Sequence, residues 1–524
     1  MSRPHVRRLR SRPAAAAAGI LAAGLLAAPA GAQGETPGPA TGTVARTVGD
    51  ARYEPGACPK TPEPVPELEG ARCGTLTVPE NRAKADSRKI TLGVAIVPAV
   101  AGEPKPDPIV LFVGGPGNDA VSQAKMAVDG GLNRDRDVIL MSQRGTYSAD
   151  PELTCRTIDE FEARAVGLVY NAPSTESEHL AAIRSCRDQL AARGVDLGAY
   201  NDAQSSADYA DLRRALDIPQ WNVYGLSYGT HLALIYMRDH PEGIRSVGLD
   251  GVLPPSKTGY ALAWSSARQG IDSLFKACAD QPECDRRYPN LPGTFERLVR
   301  QLDAEPVTTT VRTPGSADPV KVVLDGGALM NWMTTATHVA PGVPRSLDEL
   351  AHGKPQRIAE QWAASRVTPE LFGRISHGLE YGVFCGEWVP YETEAEAMKG
   401  AREAFPKLPP SVLAQAPQLT FVRPDCAVWD VPALPRSIRD VTRSDIPTLV
   451  MSGGFDSQTG AESGAYVART LPRATVVTVP YVPHVVFATS KCAQSIARSF
   501  FDDPAAPDTG CLKDVKPPEF EIAP

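Results

Sequence analysis

At 524 residues, with 42% hydrophobic and 22% charged side chains, the chain can bury a large core, which excludes a disordered protein or a small scaffold. Its formal net charge of −7 lacks the basic footprint of a nucleic-acid binder, so no nucleic-acid partner is expected.

The first segment has a basic, then apolar, then small-residue order. Arg3, Arg7, Arg8, Arg10 and Arg12 precede an alanine-rich apolar run from Ala14 to Ala28, and Ala30-Gly31-Ala32 follows as a cleavage pattern. This reads as a signal peptide over residues 1–32, its apolar run falling short of the roughly 20 residues of a membrane span. A secreted protein is expected, with no membrane partner once that segment is gone. Ten cysteines agree: the number is even, they are spread along the chain, and none forms a CxxC pair. Exported proteins meet oxidants, so disulfides are expected, and without clustered ligands at short spacing no metal site is expected. Neighbour pairing along the chain gives Cys58–Cys73, Cys155–Cys186, Cys278–Cys284, Cys385–Cys426 and Cys492–Cys511; the sequence leaves other connectivities open.

Residues 33–55, rich in Gly, Pro, Thr and Ala, read as a flexible lead-in, with ordered sequence beginning near Cys58. Apolar runs then predict buried strands at Ile90–Val97, Ile109–Val113 and Val138–Met141. Tyr209, Leu212 and Leu216 recur at helical spacing and predict a helix over Ser205–Leu216. A strand at Trp221–Tyr224, a helix from about Thr230 to Met237 and a strand at Ser246–Leu249 follow. Strands alternating with helices indicate a doubly wound, mostly parallel sheet. From Pro254 to about Asp445 the pattern is helical, with only Val320–Leu324 strand-like; strands return at Thr448–Ser452 and Ala474–Val479. The economical organisation is a sheet core over residues 56–254, a large helical insertion over 255–445, and the rest of the same sheet over 446–524.

Gly225-Leu226-Ser227-Tyr228-Gly229 sits between a predicted strand and a predicted helix. A G-x-S-x-G sharp turn needs glycines because the serine backbone is strained and its neighbours pack closely. Ser227 then sits at a helix N-terminus, where amides favour a developing negative charge. A nucleophilic serine needs a base and an orienting acid, which in this arrangement follow in the order Ser, acid, His. Asp456, just after the run Thr448-Leu449-Val450-Met451-Ser452-Gly453-Gly454-Phe455, and His484, in Val482-Pro483-His484-Val485, fit that order. His231, directly behind the elbow, is read as buried support. The glycine-rich turn Val113-Gly114-Gly115-Pro116-Gly117 can bring backbone N–H groups to a substrate oxygen beside the amide of Tyr228.

On these motifs, together with Ser142-Gln143-Arg144-Gly145-Thr146, Leu249-Asp250-Gly251-Val252 and Cys426-Ala427-Val428-Trp429, the chain resembles secreted α/β-hydrolases of the proline iminopeptidase and tripeptidyl aminopeptidase group. The resemblance runs from about Cys58 to Cys511. It implies an α/β-hydrolase fold with a large helical cap inserted before the acid strand. It also implies a serine exopeptidase acting on free peptide N-termini, without metal or organic cofactor. By similarity Ser227, Asp456 and His484 form the triad, and the amides of Gly115 and Tyr228 the oxyanion hole. Such an enzyme must hold a charged α-amine, since a desolvated ammonium without a partner is costly. Glu380 and Glu387 are the acids the insertion offers; Glu387, in Cys385-Gly386-Glu387-Trp388 where the family carries an acid after cysteine, is taken as the substrate-binding residue. Pro483-His484-Val485 departs from the family's Gly-His-Gly, which alters pocket walls and leaves esters or amides as the alternative substrates.

Overall fold

Four-residue runs with no polar side chain, such as Ile109–Phe112 and Val138–Met141, have every residue buried and so occupy the middle of a sheet covered on both faces. The computed structural model describes residues 41–313, 318–367 and 373–522; the predicted signal peptide lies outside them. The strands are β1 (Arg46–Val48), β2 (Ala51–Gly56), β3 (Arg72–Pro79), β4 (Lys89–Val97), β5 (Ile109–Phe112), β6 (Val138–Met141) and β7 (Ala149–Asp150). They continue as β8 (Trp221–Leu226), β9 (Ile244–Asp250), β10 (Val307–Val311), β11 (Val320–Leu324), β12 (Thr448–Gly453) and β13 (Ala474–Val479). The main sheet has the order β1-β2-β3-β4-β6-β5-β8-β9-β12-β13, with β7 paired to β4. From β6 to β13 every pairing is parallel, and from β1 to β6 every pairing is antiparallel.

Helices Asp202–Ala215 and Tyr228–Asp239 cover one face, where Tyr209, Leu212, Leu232 and Tyr236 pack on Val110, Phe112 and Val223. Helix Lys491–Asp502 covers the other, its Ile496, Ala497 and Phe500 on Leu111, Leu140 and Met451. The fold is therefore the doubly wound α/β-hydrolase arrangement. β13 closes one end of the sheet, and its outward Val476 is 48% exposed, as expected of an edge strand.

The stretch read as a flexible lead-in contains β1 and β2, so ordered sequence begins before Cys58. In β2, Ala51 and Tyr53 are buried while Arg52 and Glu54 are exposed, and the Tyr53 hydroxyl donates to the Gly42 carbonyl at 3.1 Å. That two-residue alternation is a strand signal which a glycine- and proline-rich composition hides.

β9 and β12 are neighbours, with Val247 opposite Thr448, although nearly two hundred residues separate them in sequence. The intervening chain is mainly helical, and its apolar core around Trp264, Trp332, Trp362 and Trp429 is shared with helices Arg156–Ala165 and Pro173–Ala192, which precede β8 in the chain. It also holds the antiparallel pair β10–β11, of which the sequence pattern indicated only β11; the threonine-rich β10 is half-exposed. All ten cysteines pair with their neighbours along the chain.

Candidate active site

β8 delivers Ser227 directly to the first turn of helix Tyr228–Asp239. Ser227 has φ 55° and ψ −126°, a conformation that L side chains rarely adopt and that persists only where the surroundings fix it. Here its N–H donates to the Asp250 carbonyl at 2.8 Å, and the Thr230 hydroxyl donates to the Ser227 carbonyl at 2.6 Å. The flanking glycines are steric necessities. A Cβ on Gly229 would lie 2.0 Å from the Phe112 carbonyl oxygen, and one on Gly225 would lie 2.7 Å from that of Gly229.

The turn after β5 comes against the same serine: a Cβ on Gly114 would stand 2.9 Å from that of Ser227. Gly115, at φ 113°, is next. Gly115, Tyr228 and Ser227 line one cavity of about 160 Å³.

The loops after β12 and β13 are pinned together, Gly454 N–H donating to the Val479 carbonyl and Phe455 N–H to that of Val482, both at 2.9 Å. Their pinning brings His484 Nδ1 to 2.9 Å from Asp456 Oδ2. The carboxylate also accepts the amides of Gln458 and Thr459 and, at 2.6 Å, the Thr459 hydroxyl. Burial would raise the Asp456 carboxyl, but the His484 ring and the Thr459 donors outweigh it and hold it well below the usual carboxylate range. The proton on His484 Nδ1 is assigned from this partner, which leaves Nε2 as the basic nitrogen. Burial lowers the ring's affinity for a second proton, while Asp456, and then Asp250, raise it further, so its pKa lies above the ordinary value. The ring packs on Gly251, where a Cβ would come within 2.8 Å of Cε1.

Asp250, which the sequence reading carried only as part of a motif, ties these parts together. Its buried carboxylate accepts the amides of Val486 and Phe487 at 2.9 Å each, just past His484. Burial pushes it up to about 6, against the pull of those two amides and the His484 ring.

Glu387 does not line the cavity. It is 1% exposed, and its Oε1 accepts the Asp202 N–H at 2.8 Å. It lies in a π-helical turn, Phe384–Trp388, joined by the Cys385–Cys426 disulfide to helix Val422–Trp429; this turn gives Phe384 and Trp388 to the cavity wall and Glu387 to the interior. The carboxylate on the wall is Glu380. His377 Nδ1 lies 2.9 Å from Glu380 Oε2 and its Nε2 3.2 Å from Asp159 Oδ1. Burial opposes a charge on His377, yet these two carboxylates raise it to about 10, so it is a cation at neutral pH.

His231 is buried, as expected, and sits apart from Asp456 in a group with Asp202 and Glu387. Among the described residues these three are a set of side chains spaced to hold a metal ion, assembled from positions too distant for a spacing motif to reveal.

Residues 107–279 match the family described as the alpha/beta hydrolase fold, and residues 413–512 match one described as TAP-like protein. Serine protease Hip1 of Mycobacterium tuberculosis (strain ATCC 25618 / H37Rv) is 22% identical over 466 residues, covering 84% of this chain and 87% of that protein. Carboxylesterase B of the same strain is 26% identical over 468 residues, covering 84% and 86%. A probable proline iminopeptidase of Streptomyces coelicolor is 27% identical over 207 residues, 38% of this chain and 50% of its own. The chain belongs to the α/β-hydrolase family and is a serine hydrolase. The resemblance drawn from the motifs, to the proline iminopeptidase and tripeptidyl aminopeptidase group, is matched by the TAP-like segment and by the peptidases among these relatives.

Proposed function

We propose that the protein is an exported serine exopeptidase that cleaves at free peptide N-termini. Ser227 attacks the carbonyl, and His484 Nε2 takes its proton and returns it to the leaving amine. Asp456 holds the ring and stabilises its charged form, while the amides of Gly115 and Tyr228 bind the oxyanion. Water then cleaves the acyl-enzyme. Five disulfides accord with export, and no helix among the described residues is long and apolar enough to cross a membrane.

The observation that carries the peptidase reading is Glu380. Its carboxylate lies on the wall of the cavity that holds Ser227, with Oε2 held by His377. Oε1 carries no hydrogen bond among the described residues. Asp159, His377 and Glu380 together carry one net negative charge, which suits a substrate ammonium. At about 160 Å³ the cavity is smaller than the roughly 300–1,000 Å³ of a drug-sized site, so the acyl part it takes is short.

The test is hydrolysis of prolyl, alanyl and Ala-Ala-Pro anilides, with and without N-acetylation, beside Ser227→Ala. Cleavage that acetylation and Ser227→Ala each abolish supports the reading. A second reading, hydrolysis of non-peptide esters or amides, is favoured by the carboxylesterase relative, whose alignment covers as much of this chain as the protease's. Ser227-dependent turnover of p-nitrophenyl esters, with no anilide cleaved, would replace the first reading by the second.

A further inference from the structure

Asp202 opens helix Asp202–Ala215, His231 lies in the first turns of the helix behind Ser227, and Glu387 belongs to the π turn of the insertion. None is more than 1% exposed. His231 Nε2 stands 2.9 Å from Asp202 Oδ2 and 3.6 Å from Glu387 Oε2, and the three atoms lie within 4.8 Å of one another.

Neither approach is a hydrogen bond: Nε2, Oδ2 and Oε2 are all buried without a hydrogen-bond partner. The other carboxylate oxygens, by contrast, are held. Asp202 Oδ1 accepts the Tyr228 hydroxyl, and Glu387 Oε1 accepts the Asp202 N–H. The two carboxylates thus meet the outer-sphere pattern of metal ligands, while the other ring nitrogen, His231 Nδ1, has no hydrogen-bond partner among the described residues. Around a tetrahedral ion with bonds of 2.0–2.2 Å, ligand atoms stand roughly 3.3–3.6 Å apart. The observed 3.6 Å lies at the top of that range and the 2.9 Å below it, so the Asp202 oxygen and the ring must part by a few tenths of an ångström around an ion.

Charge points the same way. Burial, and then Asp202, push the Glu387 carboxyl up to about 8, so without an ion the group holds a proton; a divalent cation would take its place and balance both carboxylates. Burial opposes a charge on His231, yet Asp202 and Glu387 raise it to about 9, so a bound ion would take the place of that proton. One nitrogen and two oxygens fall short of the six or more oxygens that calcium takes, whereas three protein ligands with solvent in the fourth position are a set zinc takes at open sites; here the burial of all three side chains keeps that position from substrate.

We propose that Asp202, His231 and Glu387 bind one divalent transition-metal ion, zinc by preference. The ion clamps the π turn of the insertion to the helix whose first amide, that of Tyr228, faces the substrate. Its role is structural: it ties Glu387, and with it the cavity-lining Phe384 and Trp388, to the nucleophile elbow, and takes no part in the serine chemistry.

The test begins with the full oxidised protein, purified without a metal-affinity step and dialysed first against zinc and then against metal-free buffer. Elemental analysis is expected to find about one equivalent of zinc per chain, with X-ray absorption showing nitrogen and oxygen ligands near 2.0 Å and no sulfur. Chelator-treated protein should rise in Tm by several degrees when zinc alone is added. Glu387→Gln and Asp202→Asn should each lose the bound equivalent and that rise. Less than a tenth of an equivalent in the wild-type protein, with no change of Tm on adding zinc or manganese, would overturn the proposal whether or not the variants fold. Zinc retained equally by both variants in folded form would overturn it as well.

Discussion

Asp250 and Ser227 are coupled through the main chain, the serine amide donating to the Asp250 carbonyl at 2.8 Å. The Asp250 side chain meanwhile holds the amides just beyond His484. One residue at the end of β9 thus sets the serine and the histidine loop in register. Asp250→Asn keeps one acceptor and turns an NH₂ against a main-chain N–H. Losing a hydrogen bond to a charged group costs about 1.5–3 kcal/mol, and small misplacements of reacting groups lower rates steeply. The expectation is a fall in kcat of about 10–100-fold on anilides and esters alike, in protein that still folds by circular dichroism. An unchanged kcat would show that the loop keeps its place without this carboxylate.

The pH dependence follows from the pair formed by His484 and Asp456. A general base must be neutral, and His484 gains its proton above the ordinary histidine value because Asp456 outweighs burial. Activity should therefore rise with pH through a limb centred above about 6.5. Asp456→Asn should move that limb downward and lower kcat by roughly 10⁴-fold, the loss expected when the imidazole takes the wrong tautomer. A kcat/KM profile of both proteins from pH 4 to 10 reads both effects. The stability signs are opposite. The raised His484 favours the fold at low pH and loses that contribution as pH rises through its folded pKa. The depressed Asp456 favours the fold above the ordinary carboxylate range and loses that as pH falls.

Substrate charge should be read by Glu380. Glu380→Gln is expected to raise KM for free-amine anilides by about 10–100-fold, the worth of a charge-assisted bond, while acetylated anilides and neutral esters keep their KM. His377→Gln leaves Glu380 in place, removes the neighbouring cation and frees the held oxygen, so the KM for free-amine anilides should hold or fall, the opposite direction to Glu380→Gln. Equal changes on charged and neutral substrates would remove Glu380 from amine recognition.

Reduction should loosen the insertion. The Cys385–Cys426 bridge closes a loop of 41 residues, for which loop-closure entropy gives about 4 kcal/mol as an upper expectation, with about 2–4 typical. The double variant Cys385→Ala, Cys426→Ala should unfold several degrees earlier by differential scanning calorimetry. Wild-type protein in dithiothreitol should approach or fall below it.

Much of this site is legible in the sequence because its signals are local. Ser227 is announced by glycines that the elbow cannot do without, and Asp456 and His484 by their order after the strands Thr448–Gly453 and Ala474–Val479. Glu387 sits behind the cavity wall and not on it because the position after Cys385 is set by a π turn, which no periodicity discloses. Asp202 and Glu387 hydrogen-bond across 185 residues of sequence, so spacing says nothing of their meeting. β1 and β2 escaped because a three-residue and a six-residue strand offer too few alternations to outweigh their glycine and proline.

β9 waits for its neighbour β12 until the whole insertion has been made. A ribosome therefore completes the serine elbow long before it reaches Asp456 and His484. With His484 as the base, a truncated or still-growing chain carries a nucleophile that nothing can activate. An activity that needs Asp456 and His484 beside Ser227, as proposed, can begin only once the last part of the chain has closed the sheet.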